Sequence, residues 1–306
     1  MDHLPVVQLQ GVTKVVRGRV LVNQLSFDIY PGEVFGLLGP NGAGKTTTIR
    51  MMVGLISITQ GDIKIQGHSI TRAYEKAIGR VGAIVENPDM YRYLSGYRNL
   101  IHYARMVPGI SESRVDEIVK IVGLENQIHD KVRTYSLGMR QRLGIAQALL
   151  HKPAFLILDE PTNGLDPAGI RELRDLLRRL AQDEDVAVLV SSHLLSEIEM
   201  ICDRIAILQR GKLVLTRETK EVVVSERLLQ VYVTVDEVNI EQAVQIASTL
   251  SKSVILGTQP GTLVTMLTHK DIPRLNSHLI ASGIQVYSIQ TFTPSLEDTF
   301  LEITEE

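Results

Sequence analysis

Residues 39–46 read GPNGAGKT and fit the pattern GxxxxGK[ST], the spacing at which a glycine-rich turn aims consecutive backbone N–H groups at a run of phosphates. Gly39, Pro40, Asn41, Gly42, Ala43, Gly44, Lys45, Thr46 and Thr47 are therefore the expected phosphate contacts. Lys45 brings a mobile ammonium, Thr46 a hydroxyl suited to Mg²⁺, and the helix that must open here adds its partial positive end. A second cluster lies at residues 155–160, FLILDE, where four apolar residues precede two carboxylates. Asp159 is expected to hold Mg²⁺ through water, and Glu160 to polarise the water that attacks a γ-phosphate. Two acids after a strand fit a solvated turn equally well, so the phosphate loop upstream is what turns them toward chemistry.

These residues need a scaffold, and the hydrophobic pattern supplies one. EVFGLLG is a short continuous apolar run that ends at the glycine cluster, and Ile49, Met52, Val53 and Ile56 then recur at helical spacing. Strand, loop and helix follow in the order the phosphate pattern requires. Before them, VVQLQGV and VLVNQLSFDIY alternate apolar and polar residues, and GDIKIQGHSI does so afterwards, as half-buried antiparallel strands do. From Asn99 to about Leu150 the pattern is mostly helical, broken at Pro108 and Gly109, so a helical subdomain at about residues 89–150 is expected to interrupt the strand-rich core. Strand AFLILDE, helix RELRDLLRRLAQ, strand AVLVSS, helix LLSEIEMICDR and strand IAILQRGKLV then imply a mainly parallel sheet covered by helices. Its strand ends are where ligands bind in such sheets. From residue 226 the order becomes βαββαβ, that of a ferredoxin-like α+β sandwich, which by itself assigns no function.

Further loops complete a combination that resembles the ABC ATPases over residues 6–215. YSLGMRQR, residues 135–142, is similar to the family signature LSGGQxQR, with Leu137 for the first glycine and Met139 for the glutamine, while Ser136 and Gly138 are retained. NGLD, residues 163–166, resembles the loop after the catalytic strand. Ser191, Ser192 and His193 resemble the switch-histidine segment, which makes His193 a candidate γ-phosphate sensor, although alone it would read as a turn residue. The resemblance implies an α/β P-loop NTPase (RecA-like) core with an antiparallel β subdomain and a helical subdomain over residues 1–222, followed by a ferredoxin-like accessory domain over residues 226–306. It also implies ATP and Mg²⁺ as cofactors.

Ser136 should cap a helix whose Met139, Leu143, Ala146 and Leu150 face a core, leaving its first N–H groups free for an anion. In the family that helix end faces the ATP of a second copy, so Ser136 and Gly138 are expected to contact nucleotide across a dimer. Two departures stand out. Val16 falls where the family usually places an aromatic residue against adenine, and Glu86 falls where it usually places a glutamine near Mg²⁺. The Glu86 variant, SLGMRQRLGIA and the C-terminal TPSLEDTFLEIT resemble the subunits of bacitracin and lantibiotic self-protection exporters.

A net charge of −3 gives no basic field, so no nucleic-acid partner is expected. The sequence has no run of 18 apolar residues and opens without a basic, then apolar, leader, so neither a membrane span nor a signal peptide is expected. Cys202 alone cannot form an internal disulfide and reads as a core residue in a reducing compartment. The expected setting is cytoplasmic, peripheral on the inner membrane face, with a separate transmembrane permease and a second copy as partners. The alternative is a soluble ABC ATPase acting on ribosomes or DNA. Such relatives usually carry paired cassettes or inserted coiled coils, which this chain lacks. A phosphate-loop kinase or GTPase would lack the signature and the switch histidine.

Overall fold

The computed structural model describes residues 4–86, 88–219, 229–251, 253–257 and 259–292. The chain divides into two compact units, Met1–Thr219 and Lys220–Glu306. The first opens with β1 (Val7–Val16), β2 (Arg19–Ile29), β3 (Val34–Leu38), α1 (Lys45–Met52), β4 (Gln60–Ile65), β5 (His68–Ser69), α2 (Tyr74–Ile78) and β6 (Val81–Ile84). Three helices follow, α3 (Gly96–Ala104), α4 (Glu112–Ile121) and α5 (Leu137–Leu149). The unit then alternates β7 (Phe155–Leu158), α6 (Pro167–Glu184), β8 (Ala187–Ser192), α7 (Leu195–Ile201), β9 (Arg204–Gln209) and β10 (Lys212–Glu218).

The central sheet has the order β10-β9-β3-β8-β7-β6 and is parallel except for the β9/β10 hairpin. Strands β3, β7 and β8 are buried at every position, as central strands covered on both faces must be. Their register decides where the chemistry goes. Leu38 pairs with Ser192 and Leu158 with Val190, so the segments leaving β3, β7 and β8 emerge together at the carboxyl edge. Those segments carry Lys45, Asp159 with Glu160, and His193.

A second, antiparallel sheet of order β2-β1-β4-β5 shares one hydrophobic core with the central sheet, in which Phe27 stacks on Phe35 with centroids 5.2 Å apart. Ile49 and Met52 of α1 enter this core and Ile56 packs against it. Gly36 in β3 permits close helix packing, since a Cβ there would lie 2.7 Å from Ile198 of α7. Cys202 is buried, and burial pushes its thiol well above the usual range, which keeps it out of thiolate chemistry.

The second unit contains β11 (Leu229–Val235), α8 (Ile240–Leu250), β12 (Val254–Leu256), β13 (Thr262–Leu267), α9 (Ile272–Ala281) and β14 (Val286–Phe292). Its sheet is antiparallel with order β12-β13-β11-β14, the ferredoxin-like arrangement. Val231, Val233 and Val235 alternate inward against Ala243, Ala247, Leu275 and Leu279 of the helices. TPSLEDTFLEIT, residues 293–304, lies outside the described residues. Among the described residues no helix is long and apolar enough to cross a membrane.

Candidate functional site

The loop leaving β3 has little freedom in what it can be. A Cβ at Gly39 would lie 2.4 Å from the Leu208 carbonyl oxygen, and Gly44 caps α1 at φ 106°, a conformation that side chains strongly disfavour. Asn41, Gly42, Ala43, Gly44, Lys45, Thr46 and Thr47 line a cavity of 780 Å³ together with Pro40, Glu160 and His193. Lys45 is 6% exposed, and its Nζ donates to the Gly39 carbonyl at 2.7 Å and the Pro40 carbonyl at 3.4 Å. It also lies 3.3 Å from Glu160 Oε1.

Glu160 is held from three sides. Its backbone N–H donates to Ser191 Oγ at 2.8 Å, and that hydroxyl donates in turn to Asp159 Oδ1 at 2.5 Å. Its other carboxylate oxygen, Oε2, lies 2.8 Å from His193 Nδ1. An ionised carboxylate only accepts, so Nδ1 is the protonated nitrogen and donates. Glu160 also adopts φ 49°, a left-handed conformation that costs a non-glycine residue on the order of 1–3 kcal/mol. The predicted Lys45, Glu160 and His193 are thus brought into one chain of contacts.

Thr46, Asp159 and Glu86, the three expected metal contacts, line a second cavity of 460 Å³ with Arg50, Gln141 and Glu160. Among the described residues no group of three or more His, Cys, Asp or Glu side chains is placed to hold a metal. That donor set suits Mg²⁺, which binds through one or two carboxylates together with phosphate oxygens and water. Glu86, at φ 72° and 68% exposed, accepts a hydrogen bond from Arg50 Nη2 at 2.6 Å. Sequence inspection missed this partner. Arg50 stands four residues after Thr46 on α1, so helical spacing places both on one face and could have found it.

Other expected contacts lie elsewhere. Val16 ends β1 exposed, paired with Arg19, and does not line the phosphate cavity, whose wall is instead Arg19, Val20 and Leu21. Asn163 and Arg210 also line it and were not anticipated. Ser136 caps α5 as expected, accepting from Met139 N at 3.2 Å, but neither Ser136 nor Gly138 reaches the phosphate cavity of its own chain. Tyr135 anchors that segment by donating to the Gln127 carbonyl at 2.6 Å, and burial raises its phenol to about 12, so it stays a donor at neutral pH. Leu143 and Ala146 of α5 and Leu150 at its C-terminal cap are buried as periodicity predicts, whereas Met139 is only half-buried.

The model of the family described as ABC transporter matches residues 22–163. The ABC transporter ATP-binding protein YhcH of Bacillus subtilis is 53% identical over 98% of this chain and 96% of its own length. The chain belongs to the ABC transporter ATP-binding proteins. It is an ATPase subunit. The bacitracin transport ATP-binding protein BcrA of Bacillus licheniformis is 37% identical over 97% of both chains. The lantibiotic transport ATP-binding protein SrtF of Streptococcus pyogenes is 41% identical over 69% of this chain and 90% of its own. Among solved structures, an ATP-binding subunit of an ABC transporter matches with TM-score 0.62 and 28% identity, covering 71% of this chain and 91% of that one. CbiO1 from Clostridium perfringens, part of the ABC transporter complex cbiONQ, matches with TM-score 0.66 and 25% identity, covering 71% and 90%. These relatives are transporter subunits, and none supports the ribosome or DNA alternative.

Proposed function

We infer that this subunit powers export of an antimicrobial peptide or peptide antibiotic through a separate permease, from the cytoplasmic face of the membrane. The observation that carries this is the match to BcrA over 97% of each chain, which includes the ferredoxin-like unit as well as the cassette. Transport of bacitracin or a lantibiotic by the subunit reconstituted with its permease, abolished without ATP, is the expected result. Absence of such transport in a complex that hydrolyses ATP would remove the cargo assignment.

In the hydrolytic cycle Lys45 and the loop N–H groups bind the β- and γ-phosphates, Glu160 accepts the proton of the attacking water, and His193 orients Glu160 through Nδ1. Thr46 and Asp159 are the holders proposed for Mg²⁺, with Glu86 beside them; when bound, Mg²⁺ offsets phosphate charge and polarises the γ-phosphoryl group. The active arrangement is a sandwich of two copies. Ser136 and Gly138 lie away from their own chain's phosphate cavity, and α5 keeps its N-terminal end free to meet the γ-phosphate held by the other copy.

Two expectations follow from this assignment. Exposed ion pairs contribute only about 0–1 kcal/mol, so Glu86→Gln should leave the melting temperature nearly unchanged although it breaks the Arg50 pair. It should instead raise the Mg²⁺ concentration needed for half-maximal turnover, and Glu86→Ala should impair transport more than ATP binding. Identical Mg²⁺ titrations for wild type and both variants, with intact transport, would make Glu86 an ordinary solvated acid. Separately, a chain ending after Thr219 should bind ATP with a Kd within about threefold of the full chain, under about 0.7 kcal/mol, because every residue assigned to the nucleotide lies in Met1–Thr219. A folded truncation that binds no ATP would refute that division.

A further inference from the structure

Glu197, in the first turn of α7, is 8% exposed and touches none of the cavity surface around the phosphate loop. A buried carboxylate is costly unless its oxygens are satisfied. Its Oε2 accepts two hydrogen bonds, from Thr162 Oγ1 at 2.5 Å and from Ser192 Oγ at 2.8 Å. Both hydroxyl-bearing residues are themselves buried. Ser192 Oγ also accepts the Leu194 N–H at 3.0 Å, which fixes the turn between β8 and α7.

The placement of these partners is what gives the network a role. Thr162 lies two residues after Glu160, and Ser192 lies immediately before His193. The two loops that meet through the Glu160–His193 hydrogen bond at the cavity therefore meet a second time, beneath it, through one oxygen of Glu197. Ser191 ties only the base of the acidic loop, through Asp159 and the Glu160 N–H. We propose that Glu197 is a positioning residue for hydrolysis, holding the Glu160 loop and the His193 turn at the separation that keeps their side chains hydrogen-bonded. It acts through those loops and does not touch nucleotide. The inference rests on the assignment of Glu160 and His193 as the hydrolytic pair.

The test is steady-state ATP hydrolysis by the full chain, with equilibrium ATP binding and thermal melting measured on the same preparations. Misplacing catalytic groups by about 1 Å costs up to about 100-fold, so Glu197→Ala should lower kcat at least about tenfold while KM stays within about threefold. Glu197→Gln should restore kcat to within about threefold of wild type, because an amide oxygen can accept from both hydroxyls without a charge. Thr162→Val keeps the acid and removes one arm; it should lower kcat in the same direction and serves if Glu197→Ala does not fold. Adding Thr162→Val to Glu197→Ala should cost little more, as expected for members of one network.

A folded Glu197→Ala with wild-type kcat would overturn the proposal, as would equal losses in the Ala and Gln variants or a loss confined to KM. Where Glu197→Ala does not fold, wild-type kcat in Thr162→Val would do the same. Glu160→Gln is the control for the underlying assignment. Turnover retained in that variant would overturn the hydrolytic pair and this inference with it, whereas turnover lost there but intact in Glu197→Ala would overturn only the role of Glu197.

Discussion

Lys45→Ala should reduce Mg²⁺-dependent ATP hydrolysis by at least about 10²–10³-fold, the usual loss when one preorganised charge donor is removed from a transition state. The geometry argues for the upper end. Lys45 is nearly enclosed, its Nζ is oriented by the carbonyls of Gly39 and Pro40, and among the described residues no other ammonium lines the cavity. It is also the cation 3.3 Å from Glu160, so its removal leaves that carboxylate facing phosphate oxygens without the charge that offsets their repulsion. ATP affinity should fall together with turnover, since ground state and transition state both carry the phosphate charge. The fold should persist, because the ammonium bonds to loop carbonyls and to an acid that is itself partly solvated. Purified variant showing a wild-type melting temperature and undiminished turnover would remove Lys45, and with it the phosphate loop, from the assignment.

Local spacing made much of this site legible, and tertiary geometry accounts for what was missed. The residues 39–47 could be placed because a phosphate loop is a contiguous device whose strand, turn and helix are all written in one stretch. Asp159 and Glu160 gained meaning from the phosphate loop upstream and His193 from the resemblance to the ABC ATPases, and the parallel register of β3, β7 and β8 is what brings the ends of these buried strands together. Glu197 carries no such signal. It lies among ordinary polar residues of an amphipathic segment, and its meaning comes from Thr162, distant in sequence. Val16 illustrates a different limit. Counting along a strand locates a residue relative to the phosphate loop, but the turn at Arg17 and Gly18 returns the chain, so β2 supplies Val20 and Leu21 to the cavity wall. In the second unit alternation marked β11, where Val231, Val233 and Val235 are buried and the residues between them only half-buried, whereas β13 is a nearly continuous buried run.

Glu160→Gln should bind ATP and fail to turn it over. The substitution keeps the shape of the side chain while removing its capacity to accept a proton, a function worth about 10²–10⁴-fold in such reactions. One amide oxygen can still accept from Lys45 or from His193, but the amide NH₂ must then face the other partner. Against Lys45 it would oppose an ammonium, and against His193 it would oppose the Nδ1 proton and drive that ring to its other tautomer. The first arrangement is the costlier, because the ammonium is charged, so the amide oxygen should remain with Lys45 and the His193 contact should be the one that reorganises. Loss of one negative charge beside the phosphates should meanwhile tighten ATP binding relative to wild type. Slow hydrolysis with retained ATP then favours the closed sandwich of two copies. Size-exclusion chromatography in MgATP should show this variant as a dimer at concentrations where wild type turns over and returns to monomer. ATP bound at full occupancy by a variant that stays monomeric at every concentration would exclude the two-copy arrangement, and wild-type turnover in it would show that another group accepts the proton from water.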